Sequence, residues 1–433
     1  MMNNRIKNTI KRQVGMASIK ITLAIYNYCH EGLCGKFVLW LYKELLSLLN
    51  LSAYPIVSPS VYKEKVSRID IIDIETKRVG VAGNIINVGT NEATFMKEQP
   101  LPNLQLYEFE NVFIQGNSDV IVDLSNECVI SEAGYNMNPN EEMVDGLLYR
   151  TRKNVCLLRN NMKHDKEFIP SGIMISGKFS HNYYHILFEN LIRLVYLDRL
   201  NLPKNVPIMV DRKSLSYTSI KRIFDILTED CGRGVVLLDD EKIYHVGKLY
   251  AFSRVNKFPS HLLTNDFRTV DYLYYAPALL QMREKLLTHM SSKVFPKRIF
   301  ISRTNSASRH YNEDEVYNVL RPYGFEMVAP EMFSIEDQMS LFYGAQYIVG
   351  GSGAAFSNLL FVNSNTTAII FTRGTYDKII ELPVFNTIAN ISGGRVVYFP
   401  NMIMNNENVH VNYTIDCVKF TEVIKKVFKM DVN

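Results

Sequence analysis

The segment Tyr347-Ile-Val-Gly-Gly-Ser-Gly-Ala-Ala-Phe-Ser-Asn holds the sharpest set of residues able to do chemistry. An apolar run enters Gly350, Gly351 and Gly353, and helical spacing resumes directly afterwards. Glycines let a chain turn tightly and let a ligand approach the backbone. A helix opening at Ala354 presents free N–H groups and a partial positive charge, which suits a phosphate. Ser352 adds a hydroxyl donor, and Asn358 falls one to two turns further on, placed to face the same ligand. The competing reading is a tight strand–helix turn with no ligand.

A second set follows the run Arg298-Ile-Phe-Ile-Ser-Arg. Its pattern predicts a strand that delivers Ser302 and Arg303 at its C-terminal end, the ligand-facing edge of a parallel sheet. Arg309 follows in a polar loop. Arginine pairs bidentately with phosphate oxygens. A salt bridge to Glu313 or Asp314 is the plainer use of either arginine. The third set is Phe179-Ser-His-Asn-Tyr-Tyr-His-Ile-Leu-Phe-Glu-Asn. His181, His185 and Glu189 are spaced four apart and fall on one face of a helix. Either His185 or Glu189 could take a proton from a hydroxyl; a solvated helix face is the bland alternative.

Several signatures are absent. There is no G-x-G-x-x-G, no Gly-Lys-Ser/Thr loop and no H-E-x-x-H. Glu313-Asp-Glu has the spacing of a cation-holding D-x-D, but it sits in the first turn of a predicted helix, where acids favour the dipole. Metal-independent chemistry is therefore expected. Ser334 with Asp337 reads as a capping box, a structural use.

These residues need elements to hold them. From about residue 65 to 135, short runs such as Val112-Phe-Ile, Val120-Ile-Val and Cys128-Val-Ile predict a β-rich region. Beyond about 170, strands at Gly172, Pro207 and Val235 alternate with helices at roughly 181–200 and 217–228, and a helical link covers 276–291. A second alternation has strands at Arg298, Phe325, Tyr347 and Thr367 and helices at about 313–321, 335–344 and 354–361. A terminal helix is expected at about 418–429. Two α/β blocks predict two Rossmann-like domains facing across a cleft. The expected boundaries are 1–60 for a helical extension, 61–290 for an N-terminal domain and 291–433 for a C-terminal one.

The 433 residues exceed one ordinary core. With 47% hydrophobic and 21% charged residues the chain is globular. A net charge of +4, from 48 basic and 44 acidic residues, does not suggest a nucleic-acid partner. Cys29, Cys34, Cys128, Cys156, Cys231 and Cys417 form no C-x-x-C pair, and such scattered thiols suit a reducing cytoplasm. Residues 1–20 carry Arg5, Lys7, Lys11, Arg12 and Lys20 with no acid before Glu31. Val38, Leu41, Leu45, Leu48 and Leu49 recur at helical spacing from Phe37 to Leu51, too short a run to span a bilayer. This predicts either a packed helix or, with the basic tail, a peripheral membrane contact within residues 1–55. Residues 52–61, with Pro55 and Pro59, read as a linker.

Taken together, Asn182-Tyr-Tyr-His-Ile-Leu-Phe-Glu, the strand ending Ile-Ser-Arg303, Asn312-Glu, Gly324-Phe, the Gln338 helix, and Ile348-Val-Gly-Gly-Ser-Gly-Ala followed by Asn358-Leu-Leu-Phe resemble glycosyltransferase family 61, which includes capsular-polysaccharide biosynthesis proteins. The resemblance covers roughly residues 105–372. It implies a GT-B-type α/β fold, a nucleotide-sugar donor as substrate rather than a cofactor, a glycan or lipid-linked glycan acceptor, and inversion at the anomeric carbon. The expected location, from the scattered thiols and the basic N-terminal segment rather than from the resemblance, is the cytoplasm or the inner face of a membrane. His185 or Glu189 then fits the base, and Arg303 with the glycine turn fits the departing diphosphate. Many relatives carry His in a Gly-x-His-Gly-Ala motif where this chain has Ser352. Two other readings compete: another nucleotide-dependent Rossmann enzyme, such as an epimerase or oxidoreductase, and a non-catalytic scaffold that binds glycan or a partner.

Overall fold

The computed structural model describes residues 17–21, 24–25, 32–48, 51–59, 62, 67–70, 77–88, 96–132, 142–143, 145–152, 154–159, 167–240, 242–258, 262–263, 272–376, 383–403 and 411–428. Arg5, Lys7, Lys11, Arg12, Cys29 and Leu49 lie outside the described residues.

Helix α1 (Gly32–Leu48) leads into strands β1 (Leu51–Val57), β2 (Ser67–Asp70), β3 (Val79–Gly83), β4 (Met96–Pro100), β5 (Gln105–Gln115), β6 (Ile121–Asp123), β7 (Cys128–Ile130), β8 (Glu142–Met143), β9 (Leu148–Arg152) and β10 (Val155–Arg159). This is the expected β-rich region. Then come β11 (Glu167–Met174), β12 (Ile208–Asp211), β13 (Val235–Leu238) and β14 (Ile243–Phe252), with β15 (Leu262–Leu263) paired to β8. The large sheet has the order β13-β12-β11-β14-β5-β6-β7-β1-β10-β9, and β2 also pairs with β5. Strands β11 to β14 are parallel, while β5 lies antiparallel to β14. The strand order therefore reverses at the β11–β14 junction.

The second sheet contains β16 (Arg298–Ile301), β17 (Glu326–Val328), β18 (Tyr347–Gly351), β19 (Thr367–Thr372) and β20 (Arg395–Pro400), in the order β17-β16-β18-β19-β20. All its pairings are parallel. Its apolar runs are buried on both faces, as helix-covered parallel strands must be. The helices of the two blocks include α2 (Thr218–Thr228), α3 (Ala276–Leu287), α4 (Glu313–Leu320), α5 (Ile335–Gly344), α6 (Val384–Ile391) and α7 (Cys417–Phe428).

Both expected α/β blocks are present, but they share a core. Ile173, Ile186, Phe188 and Leu191 belong to the same buried apolar cluster as Ile299, Ile348, Phe356, Phe385 and Tyr398. The seam between the sheets is packed along this stretch rather than open.

Three local expectations are corrected. Residues 51–57 are not linker but strand β1, because Tyr54, Ile56 and Val57 supply β-forming bulk and Pro55 sits where the ladder tolerates it. In α1 the stripe read as the packed face is turned out: Val38, Leu41, Leu45 and Leu48 are exposed, Leu48 at 84%. Tyr42 and Leu46, one turn apart, are the buried pair and pack with Ile19, Ala53, Val155 and Leu157. The helix expected at 181–200 is not regular. One α turn (Tyr183–His185) passes into a π turn (Ile186–Asn190) and then a 3₁₀ run (Leu191–Arg199).

Candidate functional site

In the order β17-β16-β18-β19-β20 the strand order, not the chain direction, reverses between β16 and β18, so the connections leaving these two parallel strands run to opposite sides. A crevice of this kind is where doubly wound sheets bind ligands. Ser302 and Arg303 leave β16, and Gly350 and Gly351 end β18. Arg303 is 8% exposed and bridges the two loops. Its Nη1 donates to Ser352 O at 3.1 Å and its Nη2 to Ser308 O at 3.0 Å. Its Nε has no partner among the described residues.

The glycines serve this arginine. A Cβ on Gly351 would come within 2.8 Å of Arg303 Cδ and 2.5 Å of the Tyr413 hydroxyl, and one on Gly353 would run into Arg303 Nη1. Gly350 is close to Ile301, its partner across the sheet. Ser352 N–H is taken by Phe371 O at 2.9 Å, so that amide belongs to the fold. Beyond Gly353 a 3₁₀ helix spans Ala354–Phe361. Its first main-chain bond, Phe356 N–H to Gly353 O at 3.0 Å, leaves the amides of Ala354 and Ala355 ahead of the ladder.

Ser302, expected at the ligand, is held by the fold: its hydroxyl donates to Glu313 Oε1 at 2.5 Å. Glu313 Oε2 accepts the Arg303 N–H at 2.8 Å. The acid thus braces the loop backbone rather than neutralising the guanidinium. Arg309 is half-buried and sits in the left-handed region, φ 61°. The same loop docks on the C-terminal segment, where His310 N–H donates to Asn412 Oδ1 at 3.0 Å and Tyr311 stacks on Tyr413 at 5.1 Å between ring centroids. Tyr311 and Tyr413 were not legible as site residues, since aromatics at such distance in sequence carry no spacing signal.

Asn182 caps the site helix by accepting the Tyr184 N–H at 3.0 Å. Behind that cap His185 Nδ1 meets Glu189 Oε1 at 2.5 Å. The glutamate side chain is 8% exposed and the histidine 22%, so the acid lies inside and the imidazole outside. The π turn falls between them, a distortion frequent at functional sites. Phe179 holds φ 61°, strained for a bulky side chain, and its ring packs on His185 at 5.2 Å. Tyr184 also meets that ring, edge-on at 5.2 Å, and its hydroxyl pairs with that of buried Tyr274 at 2.5 Å. Burial pushes both phenols well above the usual tyrosine range. His181 is exposed; partial desolvation and then Lys213, with His185 a lesser neighbour, hold its pKa below the usual histidine value.

The site helix also touches the glycine-turn side. Tyr183 Oη donates to Asn358 Oδ1 at 2.8 Å, and Asn358 Nδ2 donates to Gln338 Oε1 at 2.9 Å. Gln338 Nε2 reaches Phe333 O at 3.1 Å. Asn358 is therefore spent in a buried seam between the two sheets, not presented to a ligand. Ser334 caps α5 by accepting the Asp337 N–H at 3.1 Å, as expected.

The structure thus brings together Arg303, Gly350, Gly351, Ser352, Gly353 and Ala354, and joins them through Tyr183 and Asn358 to the helix of His185 and Glu189. Residues 183–369 match the family model Glycosyltransferase 61. This segment belongs to glycosyltransferase family 61. The family 61 segment begins on the helix of the histidine–glutamate pair and ends within β19, so it contains both halves of the site. Tyr413 lies beyond it. No curated protein matches the chain.

Proposed function

We propose that this chain transfers a sugar from a nucleotide-sugar donor to a glycan or lipid-linked glycan acceptor, with inversion, in assembly of a cell-surface polysaccharide. The reading rests on family 61 membership of residues 183–369 and on one observation above the others: Arg303 spans the two loops at the strand-order reversal. The donor diphosphate lies against the Arg303 guanidinium and the Ala354 and Ala355 amides, between two lobes of GT-B type. Phosphates are stabilised at such helix starts.

In this reading His185 is the base and Glu189 its orienting partner. The carboxylate at Nδ1 fixes the imidazole with Nε2 free to accept the acceptor hydroxyl proton. The acceptor oxygen attacks the anomeric carbon opposite the diphosphate. The bond to the diphosphate breaks and its electrons pass to the phosphate oxygen, where Arg303 offsets the charge. Glu313 is committed to Ser302 and the Arg303 amide, so it does not serve as a D-x-D ligand.

Thermal unfolding with UDP, GDP, CMP and NAD tests the donor class. A nucleotide at about 100 times its Kd should stabilise the fold by about 2.7 kcal/mol. A rise with UDP, GDP or CMP is expected. A rise with NAD alone would favour an oxidoreductase or epimerase, and no rise at all a non-catalytic scaffold. Among the described residues no helix is long and apolar enough to cross a membrane. The outward apolar face of α1, beside a basic N-terminal sequence, supports peripheral contact with an anionic membrane surface.

A further inference from the structure

The large sheet has its own strand-order reversal, between β11 and β14, and a cavity of about 50 Å³ opens at the C-terminal ends of these two strands. Met174 of β11, Ala251 and Phe252 of β14, and Tyr107 and Phe109 of β5 line it. Four charged side chains converge there: Asp119, Glu132, Arg193 and Arg254.

Arg193 is the telling residue. It is 7% exposed, yet its contacts are long: Nη1 to Ser176 O at 3.5 Å and Nη2 to Asp119 Oδ1 at 3.7 Å. Its Nε has no partner among the described residues. Asp119, Glu132 and Glu189 offset its charge, but the long contacts leave this buried guanidinium with hydrogen-bonding capacity for a further acceptor. Arg254 spends Nη1 on Phe258 O at 2.6 Å, and its backbone N–H binds Glu132 Oε2 at 2.9 Å.

Two guanidiniums and two carboxylates balance when all are ionised, so a charged ligand gains from one pair and loses to the other. A hydroxyl does neither: it accepts from an arginine and donates to a carboxylate at once. Aromatic walls match the C–H faces of a sugar ring. The cavity is larger than the ~10–15 Å³ that a single water needs on the same measure. It fits the hydroxyl-bearing edge of a ring, with the rest outside its mouth.

Arg193 also continues the site helix. His185, Glu189 and Arg193 are four apart, and Glu189 lies near enough to Arg193 to influence it electrostatically. We propose that this cavity is a subsite for a neutral glycosyl unit of the acceptor, one removed from the reacting hydroxyl. The proposal rests on the glycosyltransferase reading.

The test uses the full chain and a panel of neutral sugars: glucose, galactose, N-acetylglucosamine, lactose and maltose. Binding is measured by saturation-transfer NMR and titration calorimetry. The variants are Asp119→Asn, Arg254→Met and Ala251→Leu, the last filling the cavity with apolar bulk and adding no charge. The nucleotide thermal shift is run on every protein. The expected result is that at least one sugar binds, that each variant weakens it at least ten-fold, and that the nucleotide shift is unchanged. A sugar bound equally well by Ala251→Leu would place it elsewhere and overturn the subsite. So would a nucleotide shift with no sugar bound, which leaves the transferase reading standing. Absence of both signals would remove that reading, and the subsite with it.

Discussion

At the scale of single residues, Arg303 and Gly353 form one device. Gly353 has φ 177°, extended backbone open to any residue, so conformation does not require glycine there. Space does, because a Cβ would occupy the position of Arg303 Nη1. Arg303→Ala should lower turnover by about 10²–10³, the usual cost of losing a donor to developing negative charge. Gly353→Ala should approach that loss by pushing the guanidinium aside. The double variant should be little worse than Arg303→Ala alone, since both remove the same interaction. Steady-state rates of nucleotide release from the donor, with circular dichroism as a folding control, decide the matter. Full turnover by Gly353→Ala, or strictly additive losses, would contradict the coupling.

At the scale of elements, four of the five strands of the second sheet, β16 to β19, were legible because apolar runs bounded by turn residues have few other solutions. The positions of Arg303 and the glycine turn followed from them. β14, β20 and α6 were not read. β14 carries Gly247 and Lys248 among its apolar residues and looks interrupted, although it pairs on both sides through the sheet. The π turn of the site helix has no spacing signature, so the sequence left His185 and Glu189 as equal candidates; only burial separates inside from outside. Asn358 and Ser302 were misassigned because a polar residue beside a glycine turn looks the same whether it faces ligand or fold. α1 shows the same limit: its stripe was visible, but not which side docks. Leu41, Leu45 and Leu48 face outward beside Trp40, which is 53% exposed and the one tryptophan of the chain. Vesicles of phosphatidylcholine with phosphatidylglycerol should shift Trp40 emission to the blue and co-sediment the protein. Each basic residue near the surface would add about 1 kcal/mol. Pure phosphatidylcholine, or Leu41→Ser with Leu45→Ser, should abolish most of the shift. Unchanged emission with the anionic vesicles would leave α1 without a membrane role.

At the scale of the whole molecule, the two sheets fold around a shared apolar core, and buried polar groups set its response to pH. Asp145 is the clearest of these. It is buried, it accepts from Ser118 Oγ at 2.9 Å and from Leu147 N–H at 3.0 Å, and burial pushes its pKa up to about 6. The sign follows from proton counting. Between the unfolded value near 3.8 and the folded value of about 6, the folded chain holds more protons than the unfolded one. Stability contributed by this group is therefore full below the unfolded value and falls as pH rises through the folded one. Asp145→Asn removes that dependence while its oxygen keeps the Leu147 N–H and its amide donates to Ser118. The variant should match the parent near pH 4 and exceed it near pH 7, by about 3 kcal/mol at most for a shift of roughly two pKa units. Urea midpoints at the two pH values measure the gap. A gap that is equal at both, or larger at pH 4, would show that Asp145 is not held protonated by its surroundings.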